Sequence, residues 1–511
     1  MKGFFKTVAI VTVFSVCEKF LGFLYRIFLS HSIGTEGIGI YQVALSIFSL
    51  LLTLCCSGTP ITVSRLMTKY KAEGKINRVH KVVTAGLTFT LALAVPICFA
   101  CFCFQGALSV FFADDRCVKV FLIVIPGIIF TSIYAVLRGV FWGEKDFLPY
   151  SVIELLEEAC MILVGVILVS FATNPFDGAM RAGFAVLVSY VFSFALASVV
   201  FFVRKNKLKN PKSEFKPLLK SAMPITAMRT ASSLVVSVIS IILPLRLIAA
   251  GFTSTEAMSA YGAAVGQAIP ILFIPTTLIG SFTLVLVPEI AENFYRKRHY
   301  YLKRDIEKSL YFTVFITCLF IPVFAVLGEE IGVVIFGSYE CGKYLSASSF
   351  LMLFMSVSSL TTSILNSIGK EHKTLVFYAV GATLMLLSIW FLPEFIGVYS
   401  LLVGFTFVYA ITAVCNLILI SRSCAQKPKY TSFCISSVCF LVPTTVVGLM
   451  LEKLLLPLLG TVFTLFIVAI ILVVFCGALF VGFNLVSLKD IFSKFGFKKK
   501  PSQSSTRVHS A

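Results

Sequence analysis

Apolar runs long enough to cross a bilayer recur along nearly the whole chain, and they leave few folds open. They fall near 7–30, 37–56, 80–105, 118–140, 149–171, 182–203, 219–249, 259–287, 309–327, 345–368, 374–392, 396–420, 431–451 and 455–484. A spanning helix needs about 20 mostly apolar residues, which each run roughly supplies. Charged residues make up 13% of the 511, about half the roughly 25% of a soluble domain. So little charge does not solvate a globule of this size. The expected fold class is all-α: a polytopic membrane protein of about 14 transmembrane helices, with 12 as the runner-up.

The formal charge of +19 comes from short basic clusters between the apolar runs. That is the positive-inside pattern rather than a nucleic-acid face, and no nucleic-acid partner is expected. With a cytoplasmic N-terminus, 34 Lys and Arg fall on cytoplasmic segments and 5 on the opposite loops. Lys19, Arg26, Arg229 and Arg246 lie inside helices. Both termini are therefore expected in the cytoplasm. Residues 1–16 resemble a signal peptide, but Glu18 and Lys19 follow where a small-x-small cleavage site would stand, so the segment reads as a retained first helix. The connections 57–79 and 289–308 start near Pro60 and Pro288 and read as amphipathic surface helices. The basic, Ser-rich tail from Lys498 reads as disordered. Most of the fifteen cysteines lie inside apolar runs and read as packing, the Cys98/Cys101 pair included. The five histidines are scattered. No metal and no cofactor is expected.

The two halves echo each other. Arg26 and Tyr41 recur as Arg246 and Tyr261, and Pro60 and Arg138 face Pro288 and Asn366 at a slightly larger offset. The repeat is six helices long, so both halves have the same orientation about an axis along the membrane normal. This gives an N-terminal six-helix lobe over 1–203, a cytoplasmic linker over 204–218, a C-terminal six-helix lobe over 219–420, an extra helix pair over 421–486 and a basic cytoplasmic tail over 487–511. Two parallel lobes imply a central cavity and a transporter.

Ionisable groups inside a span are costly and usually face a cavity or a partner. On helix one, Ser15, Lys19, Gly22 and Arg26 share a face. Two readings stand for this face. Lys19 and Arg26 line a cavity, or Lys19 pairs with Glu18 and Arg26 snorkels to the outer interface. On helix seven, Arg229, Ser233, Ser237 and Ser240 form a polar stripe, best explained by water or substrate beside it, while Arg246 anchors the far end. Helix five carries Glu154, Glu157 and Glu158. With Glu18 these acids pair the cavity cations, hold a coupling cation, gate the inner side, or cap the start of the helix. No phosphate-cradling loop and no nucleophile–base pair is present, so an enzyme is not expected.

Certain motifs carry a resemblance. The run Glu18-Lys19-Phe20-Leu21-Gly22-Phe23-Leu24-Tyr25-Arg26 resembles the first-helix motif of the multidrug/oligosaccharidyl-lipid/polysaccharide exporter superfamily. Ser57-Gly58-Thr59-Pro60, Leu137-Arg138-Gly139-Val140-Phe141-Trp142-Gly143 and Leu284-Val285-Leu286-Val287-Pro288-Glu289-Ile290 are similar to its other landmarks. Within it, the chain looks like the stage V sporulation protein B and lipid II flippase branches. The resemblance implies a two-lobed V-shaped bundle in a bacterial plasma membrane. It implies flipping of an undecaprenyl-pyrophosphate-linked saccharide in peptidoglycan or polysaccharide synthesis. Lys19 stands where such flippases often carry an arginine, and helices 13 and 14 resemble a pair flanking a lipid-tail groove. Lys19, Arg26, Arg229, Ser233 and Ser237 are the expected substrate contacts, and Glu18, Glu154, Glu157 and Glu158 the expected gating or coupling groups. The expected partners are the lipid-linked saccharide, membrane lipids and, for a coupled cycle, a cation. The alternatives are a cation-coupled multidrug exporter of the same fold and a non-transporting scaffold in envelope assembly.

Overall fold

The computed structural model describes residues 2–109, 112–204, 207–425 and 431–483. The tail over 487–511 lies outside the described residues. In chain order the helices are α1 Lys2–Cys56, α2 Thr59–Ala72, α3 Ile76–Cys103, the single turn α4 Gln105–Leu108, α5 Asp115–Val124, α6 Gly127–Gly143, α7 Leu148–Val169, α8 Pro175–Val203 and α9 Lys212–Ala249. Then follow α10 Ser254–Tyr261, a π-helical turn Gly262–Ala268, α11 Ile269–Tyr295, α12 His299–Phe336, α13 Tyr339–Ser348, α14 Leu351–Ser367, α15 Glu371–Phe391, α16 Pro393–Ile396, α17 Tyr399–Ser423 and α18 Thr431–Gly482. The described residues contain no strand, as the all-α reading requires.

Among the described residues, nine helices are long and apolar enough to cross a membrane, or up to eleven if the bent pairs α5–α6 and α13–α14 each count as one. α1 and α18 each join two arms across a glycine, Gly34 (φ 65) and Gly460 (φ 73), in a backbone region that L side chains rarely adopt. α7 is 22 residues long and carries three glutamates.

The chain divides into two compact units. The first comprises Met1–Phe273, Gly328–Ser348 and Val376–Ile411. The second comprises Ile274–Leu327, Ser349–Leu375 and Thr412–Ala511. These packing units cut through α11, α12, α15 and α17 and so follow other boundaries than the repeat.

In the first unit, α2, α3, α6 and the start of α9 share a core that includes Val63, Met67, Val83, Phe89, Val136, Phe141 and Leu218. α2 buries Thr59, Thr62, Leu66 and Tyr70 and leaves Lys69 and Lys71 exposed, so the segment after Pro60 is an amphipathic helix. The expected linker over 204–218 is short, because α9 already starts at Lys212. It is also fastened. The Tyr70 hydroxyl donates to buried Glu214 at 2.6 Å, and Arg78 Nε lies 3.4 Å from the same carboxylate. Away from the spans, Arg116 pairs with Asp114 at 2.7 Å and Glu36 at 2.6 Å, and the Ser254 hydroxyl donates to Asp114 at 2.6 Å. Burial alone raises Asp114. The hydrogen bonds from Arg116 and Ser254 outweigh it and hold the carboxyl below its usual range.

The second arm of α1 meets α10 and the π turn at glycines. A Cβ on Gly262 would run into the Thr35 carbonyl, and one on Gly39 into that of Met258. Gly262→Val is expected to destabilise the protein by about 1–3 kcal/mol through overpacking. This would appear as a lower thermal unfolding midpoint in detergent, and an unchanged midpoint would contradict the packing described.

In the second unit, α12 packs on α18. Tyr311 stacks on Phe433 at 4.1 Å, and Cys476 donates to the Cys318 carbonyl at 3.4 Å. Asn416 on α17 donates to Thr361 and Thr362 on α14 at 3.2 and 2.9 Å. The surface helix expected over 289–308 is absent. α11 runs on to Tyr295, Lys297 reverses the chain with φ 56, and α12 begins at His299. The mixed apolar and basic residues there are the ends of two long helices, held by pairs such as Arg296–Glu292 at 3.1 Å.

Candidate functional site

Beyond the ion pairs already described, the polar residues of the first unit gather in two places. The first is where α7 packs along the first arm of α1. Gly22 makes this possible: a Cβ there would lie 2.8 Å from Glu158 Oε1, so the missing side chain lets the carboxylate reach the helix. Lys19 and Arg26, one turn before and after Gly22, are electrostatic neighbours of Glu158, as is Glu18. Glu18 in turn feels Glu154, Lys19 and Arg138. Arg138 on α6 donates to Glu154 at 3.0 Å and lies 5.3 Å over the ring of Trp142. Glu154 is therefore an ion-pair member well inside α7, not a cap at its start. Glu157 has a buried Oε2 with no hydrogen-bond partner among the described residues.

Arg26 does not snorkel outward. Its guanidinium donates to the Gly266 carbonyl at 2.8 Å, in the π turn. Beside it Gln267 donates to Ser30 at 2.6 Å, and Ser30 donates to the Phe336 carbonyl at 2.6 Å. Arg246, its counterpart in the repeat, is an anchor: it donates to the Trp390 carbonyl at 2.8 Å and pairs with Glu394 at 2.6 Å.

The second place is the face of α9 that meets the second arm of α1. The stripe divides in its roles. Ser237 is buried and donates to the Ser46 carbonyl at 2.8 Å, which fastens the helices together. Ser240 accepts from Tyr261 at 2.6 Å. Ser233 lines a cavity of about 290 Å³ with Gln42, Ser46, Ser49, Tyr190 and Ser237. Arg229, one turn before Ser233, is exposed and makes one long contact, 3.5 Å to the Ser57 carbonyl.

The structure thus brings Glu18, Lys19, Arg26, Glu154 and Glu158 together, and sets Arg229, Ser233 and Ser237 on another helix face. The cations of helix one, read from sequence as part of a cationic cavity, stand among acids of α7. Two contributors escaped the sequence reading. Arg138 fell to the cytoplasmic count, although its echo of Asn366 marked it. Gln42 is an uncharged polar residue in an apolar run, signalled by nothing but its amide.

A family model described as "Polysaccharide biosynthesis protein" matches residues 4–294. Stage V sporulation protein B of Bacillus subtilis (strain 168) is 24% identical over 391 residues, which cover 74% of this chain and 76% of that relative. Among solved structures, lipid II flippase MurJ in an inward closed conformation superposes with a TM-score of 0.68 at 15% identity, covering 94% of this chain and 100% of that one. An inward-facing multidrug resistance MATE family transporter of the MOP superfamily gives 0.64 at 14% identity, covering 80% and 95%.

Proposed function

Because the chain belongs to the polysaccharide biosynthesis protein family, in the flippase-like branch of the multidrug/oligosaccharidyl-lipid/polysaccharide exporter superfamily, we propose that it flips an undecaprenyl-pyrophosphate-linked saccharide across a bacterial plasma membrane by alternating access. Family and fold point to a multi-pass membrane transporter. The observation that carries the substrate class is Arg229. It is a cation on a spanning helix with no acidic partner among the described residues, one turn from an uncharged cavity that Gln42 and four serines help to line. Such a charge is costly unless an anion comes to it. Lys19 and Arg26 add cations on helix one. The lipid tail stays in the bilayer while the head crosses; the fourteen spans of our reading are the eleven candidates with α1 and α18 each counted twice and α7 added.

The carboxylates of α7 favour a second reading. Glu157 and Glu158, with Glu18, suit a coupling cation, as in a cation-coupled drug exporter of this fold. Depletion in cells separates the two. The flippase reading expects undecaprenyl-linked precursors to accumulate on the inner leaflet. Unchanged precursors together with lost efflux of a cationic dye would favour the exporter.

Both termini are placed in the cytoplasm by the charge bias. A reporter active only outside the cytoplasm should be silent when fused at Ala511 and active near Asp177. The opposite pattern would reject this topology.

A further inference from the structure

We propose that the cavity between the second arm of α1, α8 and α9 is a sugar subsite, which takes one neutral pyranose ring of the lipid-linked saccharide. The inference rests on the flippase reading above. The cavity measures about 290 Å³. That is room for roughly ten waters at about 30 Å³ each, and it sits at the lower end of ligand pockets, about 300 Å³. One ring fills it.

The lining is mixed, with Leu45, Phe48, Leu52 and Val236 beside its polar residues. No charged side chain is part of it. Ser237 is engaged by Ser46 and Ser46 by the Val43 carbonyl, so these two build the wall. Gln42, Ser49 and Ser233 form no hydrogen bond among the described residues and leave two hydroxyls and an amide for a ligand. Tyr190 adds an aromatic ring, fixed by stacking on Phe48 at 5.6 Å. Neutral donors and acceptors set among apolar side chains suit the polar edge and apolar face of a pyranose ring better than an ion.

The neighbour of the cavity supplies a second, independent match. Arg229 precedes Ser233 by one helical turn, a rise of about 6 Å. In a glycosyl pyrophosphate the first sugar is bonded directly to the phosphate. A cation one turn from an uncharged cavity that offers free hydroxyls reproduces that spacing. Arg229 holds the phosphate, and the cavity reads whatever sugar follows it.

The test uses the full chain in lipid nanodiscs and two probes: a short polyprenyl pyrophosphate, bare and bearing one N-acetylhexosamine. Gln42→Leu combined with Ser233→Ala should weaken binding of the sugar-bearing probe about 10- to 100-fold, since each neutral hydrogen bond is worth a factor of about five. Binding of the bare probe should stay within about twofold. Arg229→Ala should weaken both probes alike. Loss of both probes in the cavity variant, or loss of neither, would overturn the subsite and leave the cavity as packing filled by water. The near-isosteric Ser233→Cys, which should weaken the sugar-bearing probe alone, guards against simple misfolding. Wild-type protein that binds neither probe would overturn the flippase reading itself, an outcome distinct from failure of the subsite.

Discussion

Replacing Arg229 by alanine is expected to lower transport of a pyrophosphate-linked lipid about 10- to 100-fold while leaving the amount of protein in the membrane unchanged. A hydrogen bond to a charged group is worth about 1.5–3 kcal/mol, which is that range as a ratio. The fold should tolerate the change, because the side chain is exposed and contributes one 3.5 Å contact to the Ser57 carbonyl. Arg229→Lys keeps the charge and loses the planar fork, so it should recover part of the activity if charge dominates and little if bidentate phosphate binding does. Transport assays corrected for membrane abundance decide the matter. Full activity of the alanine variant would remove Arg229 from the substrate path.

Arg138→Ala is expected to destabilise the protein rather than to change its selectivity. It strips Glu154 of a partner at 3.0 Å, with the two side chains 29% and 20% exposed. Breaking a fully buried pair costs about 3–5 kcal/mol and an exposed one at most about 1, so about 1–3 kcal/mol is expected here. Glu154→Gln in the Arg138→Ala background should recover most of the loss, because the cost lies in the stranded carboxylate. Thermal midpoints of the two single variants and the double variant form the cycle. Strictly additive losses would show that Arg138 and Glu154 do not act as a pair.

The sequence made the membrane fold legible through properties that survive without tertiary context. Apolar run length marked the spans, and the Ser57-Gly58-Thr59-Pro60 break marked the start of α2. Long-range partners were beyond it. Arg26 meets the Gly266 carbonyl 240 residues away, in the π turn. Periodicity placed Lys19 and Arg26 on one face but not the neighbour of Gly22, which turned out to be a carboxylate from α7. The same period put Ser237 in line with Arg229, yet packing assigned that hydroxyl to a backbone carbonyl of α1. Composition also misled over 289–308, where basic residues at the ends of long helices look like a surface helix.

The balance of charge around helix one bears on how the cycle is driven. Lys19 and Arg26 share their surroundings with Glu18 and Glu158, so the net charge of this cluster is set by helix one and α7 together. Arg229 remains the group whose charge a pyrophosphate would neutralise.

The most direct measurement is flipping itself. The purified chain is reconstituted into vesicles holding a fluorescent short-chain polyprenyl pyrophosphate that bears one sugar, and a membrane-impermeant quencher reports the share of label exposed outside. The account predicts protein-dependent exchange between leaflets that Arg229→Ala slows about 10- to 100-fold. Wild-type vesicles that leave the lipid where it started while accumulating a cationic dye against its gradient would contradict it.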